Sequence, residues 1–464
     1  MKFYVFGTGE YADIYSKFIN ENEVICYLDN SDEKNGKIYR GKIIRKPEEV
    51  DLERADAILV FVSNYSPIIK QLVNLGVKEE RMHNYRDLND VLNRSLEIYD
   101  KDKIIYPNSI TMIPGQKRIF LLSHDLSRTG VPVAVMHMAE LFRELGCDVI
   151  VGALTGGPLE HELREKGIKF VNNMHVIGCG DEFKAFINSF DMIFIGTLTI
   201  AKFSGKFAFF TKPIIWWFNE KYIEQYEEFQ LPDHRSNMYY FADGNNTIEV
   251  LKSYYPERNY DLLFYFLPDE ELQSVRYEDK RDYIQFLFAA FLSKRKGHDL
   301  LIDAVKRIPI EKRERIRVLI VGRDSKSSND VITDWEELKK DIPQIQHIGE
   351  VSQKKLEEIY SESDVFVCPS RDDTIPIVVT QAFQHSMPCI VSDHVGQSEY
   401  MMDGYAGLVF ENEDIDGLSS KMMYFIDHMD EIKTKGAQGR ELFDKLFSKT
   451  AVRRVMEEKI LSLI

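Results

Sequence analysis

The 464-residue chain is poor in cysteine: its five (Cys26, Cys147, Cys179, Cys368 and Cys389) are odd in number and form no C-x-x-C pair. That excludes a disulfide framework and a zinc knuckle, and it points to a reducing cytosol. Long apolar runs are missing too. Ile284–Leu292 and Met192–Ala201 are about half the roughly 20 residues a spanning helix needs, so no membrane insertion is expected. The start, Met1-Lys2-Phe3-Tyr4-Val5-Phe6-Gly7, turns glycine-rich too soon for a signal peptide. Positive charge is scarce: 59 basic residues against 75 acidic ones leave −16. General affinity for DNA or RNA needs clustered Lys and Arg and is therefore not expected. Nor is the chain disordered, because 44% apolar and 12% aromatic residues are ample material for packed cores.

What is present is a repeated alternation of short apolar runs and helical patterns, which reads as βαβ units around parallel sheets. The length predicts roughly three domains. The first, 1–105, begins with strands at Lys2–Phe6, Val24–Leu28 and Ala57–Val62, with a helix around Pro67–Leu75. Tyr106–Gln116, with two prolines and a glycine, reads as a linker. A second series, 117–278, opens with the strand Lys117–Ser123 and a helix with apolar residues at Val131, Val135, Met138, Leu141, Phe142 and Leu145. The third, 279–464, places strands at Ile284–Phe288, Val318–Val321, Ile345–Ile348, Val365–Cys368 and Cys389–Ser392, and it closes with a C-terminal helix. Ligands bind outside the carboxyl ends of strands in such sheets, so the loops after strands are where chemistry is to be sought.

The richest of these loops is Pro369-Ser370-Arg371-Asp372-Asp373-Thr374-Ile375-Pro376, which runs into a helix at Ile377–Gln384. Pro376 suits a first helical position, and the N–H groups after it are free to meet an anion. Asp373 lies in the loop and Gln381 one turn into the helix, so both can face one cleft. The alternative is an acidic loop that caps a helix. A second loop, Phe291-Leu292-Ser293-Lys294-Arg295-Lys296-Gly297, is basic, and a third, Ser123–Pro132, carries Gly130 ahead of a helix.

Over residues 117–464 these segments resemble the family-4 glycosyltransferases of the GT-B fold. The resemblance implies an α/β architecture of two tandem Rossmann-like domains facing a cleft, here preceded by a small Rossmann-like N-terminal domain. In that family two glutamates separated by seven residues hold the sugar hydroxyls and the ribose diol of a nucleotide-sugar. Asp373 stands in the first position and Gln381 in the second. An aspartate keeps the charge on a shorter stem, whereas a glutamine offers one acceptor and two donors. Lys296 matches the family lysine at the donor diphosphate, with Arg295 beside it, but Phe291 replaces an arginine. Thr374, Ile375, Pro376 and Gly130 fall in donor-facing segments. Trp216-Trp217-Phe218-Asn219-Glu220 resembles a strand that ends in His-Glu near the transferred sugar, with Asn219 in place of the histidine, so no general base is expected there.

The resemblance implies a retaining sugar transfer from a UDP-, GDP- or dTDP-linked donor to a glycan, glycolipid or glycoprotein acceptor, in surface polysaccharide or glycoconjugate synthesis. It implies no bound metal and no further cofactor. Lys296, Asp373 and Asn219 are the expected catalytic positions. A catalytically degenerate partner subunit is one alternative, because four positions depart from the pattern. An NAD(P)-dependent enzyme is another: Gly7-x-Gly9-x-x-Ala12 after a strand, with Asp29 ending the next, meets the dinucleotide fingerprint. Lys202–Lys212 interleaves three lysines with four phenylalanines. It reads either as a core helix with a lysine edge or as a peripheral contact with the inner face of a membrane.

Overall fold

The computed structural model describes residues 1–178, 180–220, 227–268, 282–324 and 333–464. Cys179 and the expected boundary at 278/279 lie outside them. The chain divides into two compact units, Met1–Phe194 with Ile200–Lys212, and Ile195–Thr199 with Pro213–Ile464.

The first unit holds a six-stranded sheet in the order Ile38–Tyr39, Lys42–Arg45, Val24–Leu28, Phe3–Phe6, Ala57–Val60, Met82–Asn84. Its central strands are parallel and bury every side chain of Phe3–Phe6 and Ala57–Val60, as continuous apolar runs require. A second sheet in this unit runs Lys103–Ile105, Ile98–Asp100, Lys169–Val171, Asp148–Ala153, Arg118–Ser123, Met192–Ile195. The hairpin of Ile98–Asp100 and Lys103–Ile105 joins this second sheet through an antiparallel pairing of Tyr99 with Phe170. The chain thus leaves the first sheet before residue 98, ahead of the boundary expected near 105. Strands this short carry little periodicity, so only their tertiary pairing reveals them.

Lys202–Lys212 follows its core reading. Phe207 and Phe210 are buried, and Lys206 and Lys212 donate to backbone carbonyls of Arg86 and Phe190. Two of the phenylalanines that a membrane contact needs are therefore spent inside the fold.

In the second unit Ile214–Phe218, Met238–Ala242 and Tyr260–Leu262 pair in parallel. A separate six-stranded sheet is all-parallel, in the order Ile345–Gly349, Ile316–Val321, Ile284–Ala289, Val365–Cys368, Cys389–Ser392, Gly407–Phe410. Numbered along the chain, that order is 3-2-1-4-5-6, the doubly wound arrangement. Its strand order reverses between Ile284–Ala289 and Val365–Cys368, and the two loops singled out above leave those two strands at their carboxyl ends. Near the C-terminus the chain returns to residues before the sheet: Leu267 donates to the Phe447 carbonyl at 3.2 Å and Gln384 to that of Pro268 at 2.9 Å. The described cysteines, Cys26, Cys147, Cys368 and Cys389, are buried free thiols.

Candidate functional site

The site is built where the doubly wound sheet opens. Gly297 ends the basic loop in a left-handed conformation, φ +74°, and an added Cβ would run into the Pro369 carbonyl oxygen. Only glycine lets the basic loop lie directly on the acidic one. Two further contacts fix the pair. The Arg371 N–H donates to the Arg295 carbonyl at 2.8 Å, and its guanidinium grips the Asp299 carboxylate at 2.9 and 2.7 Å.

In this arrangement Asp373 receives both expected cations. The Lys296 ammonium and the Arg295 guanidinium (3.2 Å) both meet its carboxylate, which is only 12% exposed. Arg295 also donates to the Asp372 carbonyl at 2.8 Å. Thr374 is fixed through its carbonyl, which accepts from the Gly396 N–H at 2.8 Å, and Ile375 is buried. Pro376 stands one place earlier than expected: it is the extended N-cap residue (φ −61°, ψ 124°) of an eight-residue helix, Ile377–Gln384, rather than its first helical residue. Lys296, Arg295, Asp373, Thr374, Ile375 and Pro376 are thus brought together.

Gln381 is not part of that cluster. It is 8% exposed, and its carboxamide oxygen accepts from the Tyr360 hydroxyl at 3.4 Å. Asn219 donates through its amide nitrogen to the Gly196 carbonyl at 3.2 Å. Gly130 opens a 15-residue helix in the first unit, with open space where a Cβ would stand.

The strand ends beside Asn219 carry a group of residues that the sequence reading did not assign. Glu220 and Asp243 follow Ile214–Phe218 and Met238–Ala242, and both carboxylates are buried. Glu220 accepts from the Thr197 hydroxyl at 2.6 Å and the Leu198 N–H at 3.0 Å, and Asp243 from the Thr247 hydroxyl at 2.7 Å. Thr374 of the acidic loop also bonds Asp243, and Asn246 donates to the Asp373 and Thr374 carbonyls at 3.3 and 3.4 Å. Burial pushes the Asp243 carboxyl up to about 7, against the pull of its two threonines. Burial raises Glu220 as well. Glu220 stood in the segment that resembles a strand ending in His-Glu, whereas the signal for Asp243 was position alone, a polar residue directly after an apolar strand.

In the N-terminal domain the fingerprint residues serve the fold. Gly7 has φ +113°, and a Cβ there would crowd the Phe61 carbonyl. Gly9 precedes a helix of only six residues, Glu10–Tyr15. Asp29 accepts from the Thr8 hydroxyl, the Ser31 N–H (2.9 Å) and the Lys34 ammonium (3.0 Å). Burial opposes its charge, but these three outweigh burial and hold its carboxyl below the usual range.

Comparison with known proteins matches the same segments. Residues 269–440 fit the family model "Glycosyl transferases group 1" and 115–242 fit "Glycosyl-transferase family 4"; residues 1–83 fit "C2185-like, N-terminal". A glycosyltransferase of Methanocaldococcus jannaschii is 29% identical over 181 residues, 38% of this chain and 49% of that one. The match thus spans about half the length of that curated relative. Among solved structures, the Anabaena protein HepE in complex with UDP superposes with a TM-score of 0.59 at 12% identity, over 75% of this chain and 100% of the other. A glycosyltransferase of Rickettsia africae gives 0.63 at 17%, over 75% and 99%. With the doubly wound sheet and its paired loops, these matches make the chain a member of the family-4 glycosyltransferases of the GT-B fold, with a small α/β domain added at its N-terminus.

Proposed function

We propose that the protein transfers a sugar, with retention, from a nucleotide-sugar to an acceptor hydroxyl during surface polysaccharide or glycoconjugate synthesis. The observation that carries this reading is the Asp373 carboxylate held between Lys296 and Arg295 at the switch point of the sheet. Two cations on one carboxylate form a group that a diphosphate can enter by exchange. The phosphates take over the ammonium and guanidinium, and Asp373 is released toward the sugar hydroxyls. Lys296, Arg295 and the N–H groups after Pro376 then meet the charge that grows on the leaving diphosphate, the contribution that usually dominates such catalysis. Asn219 faces the transferred sugar as a hydrogen-bonding rather than a proton-accepting group. HepE has been solved with UDP and with UDP-glucose, which supports a nucleotide-sugar here and puts a UDP-linked donor first in any trial.

One observation favours the second reading, a non-catalytic partner subunit. Gln381, at the ribose-facing position, is turned to Tyr360. Calorimetry of the full chain against UDP-, GDP- and dTDP-linked sugars separates the two. Binding of one donor, with turnover on a glycan acceptor, is expected; no binding to any of them would sink the transferase reading. The dinucleotide alternative gains nothing from an Asp29 that Thr8, Ser31 and Lys34 already occupy.

A further inference from the structure

Phe291 replaces a cation expected at the donor diphosphate, and its ring is 49% exposed. The neighbouring strand supplies a cation at that place. Ile316–Val321 runs parallel to Ile284–Ala289, and the two segments stay paired beyond their ends. Ala290 donates to the Val321 carbonyl at 3.0 Å, Leu292 donates to the Arg323 carbonyl at 2.9 Å, and Leu292 forms a bridge with Asp324. Gly322 permits this approach: its φ is +143°, and any Cβ would strike the Ala290 carbonyl. The pairing sets Arg323 beside Phe291, with the guanidinium carbon 5.5 Å from the ring centroid.

Arg323 is exposed, and among the described residues its guanidinium has neither a hydrogen bond nor an ion pair, only this ring. Its neighbours behave otherwise, since Arg295, Lys296 and Arg371 each hold a carboxylate. A guanidinium that rests on an aromatic face keeps its N–H edges for a ligand, and those edges match two phosphate oxygens. Its position, at the carboxyl end of the strand next to the switch point, is where this fold takes ligands.

We propose that Arg323 supplies the diphosphate-facing guanidinium that Phe291 lacks, and that the Phe291 ring is the platform that orients it. The cation has moved from one loop to the next strand while its charge stays in the same place. This assignment rests on the donor reading above and names a residue that carries part of it.

The test is calorimetry of the full-length chain with UDP, GDP and dTDP and with the corresponding nucleosides. In Arg323→Ala the affinity for the bound diphosphate falls about tenfold or more, the size of a lost charged contact, while nucleoside affinity is unchanged. Thermal unfolding stays where it was, because the side chain is exposed. Phe291→Arg in the Arg323→Ala background restores most of the diphosphate affinity. Unchanged diphosphate binding by Arg323→Ala, equal loss for diphosphate and nucleoside, or no rescue by Phe291→Arg would each overturn the assignment and leave the donor reading standing. A wild-type chain that binds none of the three diphosphates would overturn the donor reading, and the assignment with it.

Discussion

Lys296 and Asp243 show what single side chains contribute at this site. Lys296 stands out in the sequence because its segment resembles the family's diphosphate loop, and the structure sets its ammonium on Asp373. Its removal is expected to lower transfer by about two or more orders of magnitude, the usual effect of losing an electrostatic stabiliser. The folded state should survive, and turnover with the bound donor, alongside a melting curve, checks both. Asp243 was not legible, because its environment comes from residues distant in sequence, Thr247 excepted. With its carboxyl raised from 3.8 to about 7, folded Asp243 keeps a proton between those values that the unfolded chain gives up. Stability therefore falls as pH rises through that window, by at most about 1.4 kcal/mol per pH unit. Asp243→Asn removes this slope, so its melting temperature relative to wild type should rise steadily from pH 4 to 7 and level off above. A parallel pair of curves would refute the assignment. Gln381 marks the limit of motif reading: spacing put it on the right helix, but the contact with Tyr360 depends on another helix, Gln353–Glu362.

Among elements, the pairing of two loops is the decisive feature. Each loop was recognisable by itself; their contact was not, since it depends on Gly297 lying against Pro369 and on Arg371 reaching Asp299. Gly297→Ala must strain a left-handed backbone and also push the acidic loop away. A loss of about 2 kcal/mol or more, together with weaker donor binding, is expected and can be read from denaturant unfolding and calorimetry. Arg371→Ala leaves Gly297 in place but releases the bidentate grip, at a cost of about 1–3 kcal/mol with a smaller effect on donor affinity. The Lys202–Lys212 segment teaches the converse. Its composition suited two environments, and packing placed Phe207 and Phe210 in the interior, where they found a core to fill.

At the scale of the molecule, the added N-terminal domain is packed into the first unit rather than tethered to it. Val176, from beyond the second sheet's strand Lys169–Val171, belongs to the core of the first sheet, and the His175 ring lies 5.1 Å from Tyr15 and 5.8 Å from Phe18. Burial lowers His175 to about 4 from an ordinary 6.5. Unfolded His175 thus binds a proton between those values that the folded protein refuses, so the stability of this unit is full above pH 6.5 and declines as pH falls toward 4. Asp243 gives the second unit the opposite slope. Calorimetric melting at pH 5 and pH 7.5 should therefore shift the two units in opposite directions. His175→Gln should flatten the response of the first unit alone, and a shift of both units in the same direction would contradict this account.

The βα alternation, the two loops proposed to hold the donor and the kinship they imply can be read from the residue order alone, because apolar periodicity and loop chemistry are written in neighbouring residues. The −16 is an average, under which Arg295 and Lys296 follow one strand of the doubly wound sheet and Arg323 follows its neighbour. Only folding settles which cations meet which carboxylates, that Glu220 and Asp243 are buried, Asp243 against Thr374 of the acidic loop, and that the Phe291 ring lies beside Arg323. Those outcomes depend on parallel strands laying distant segments side by side, and no local pattern encodes that register.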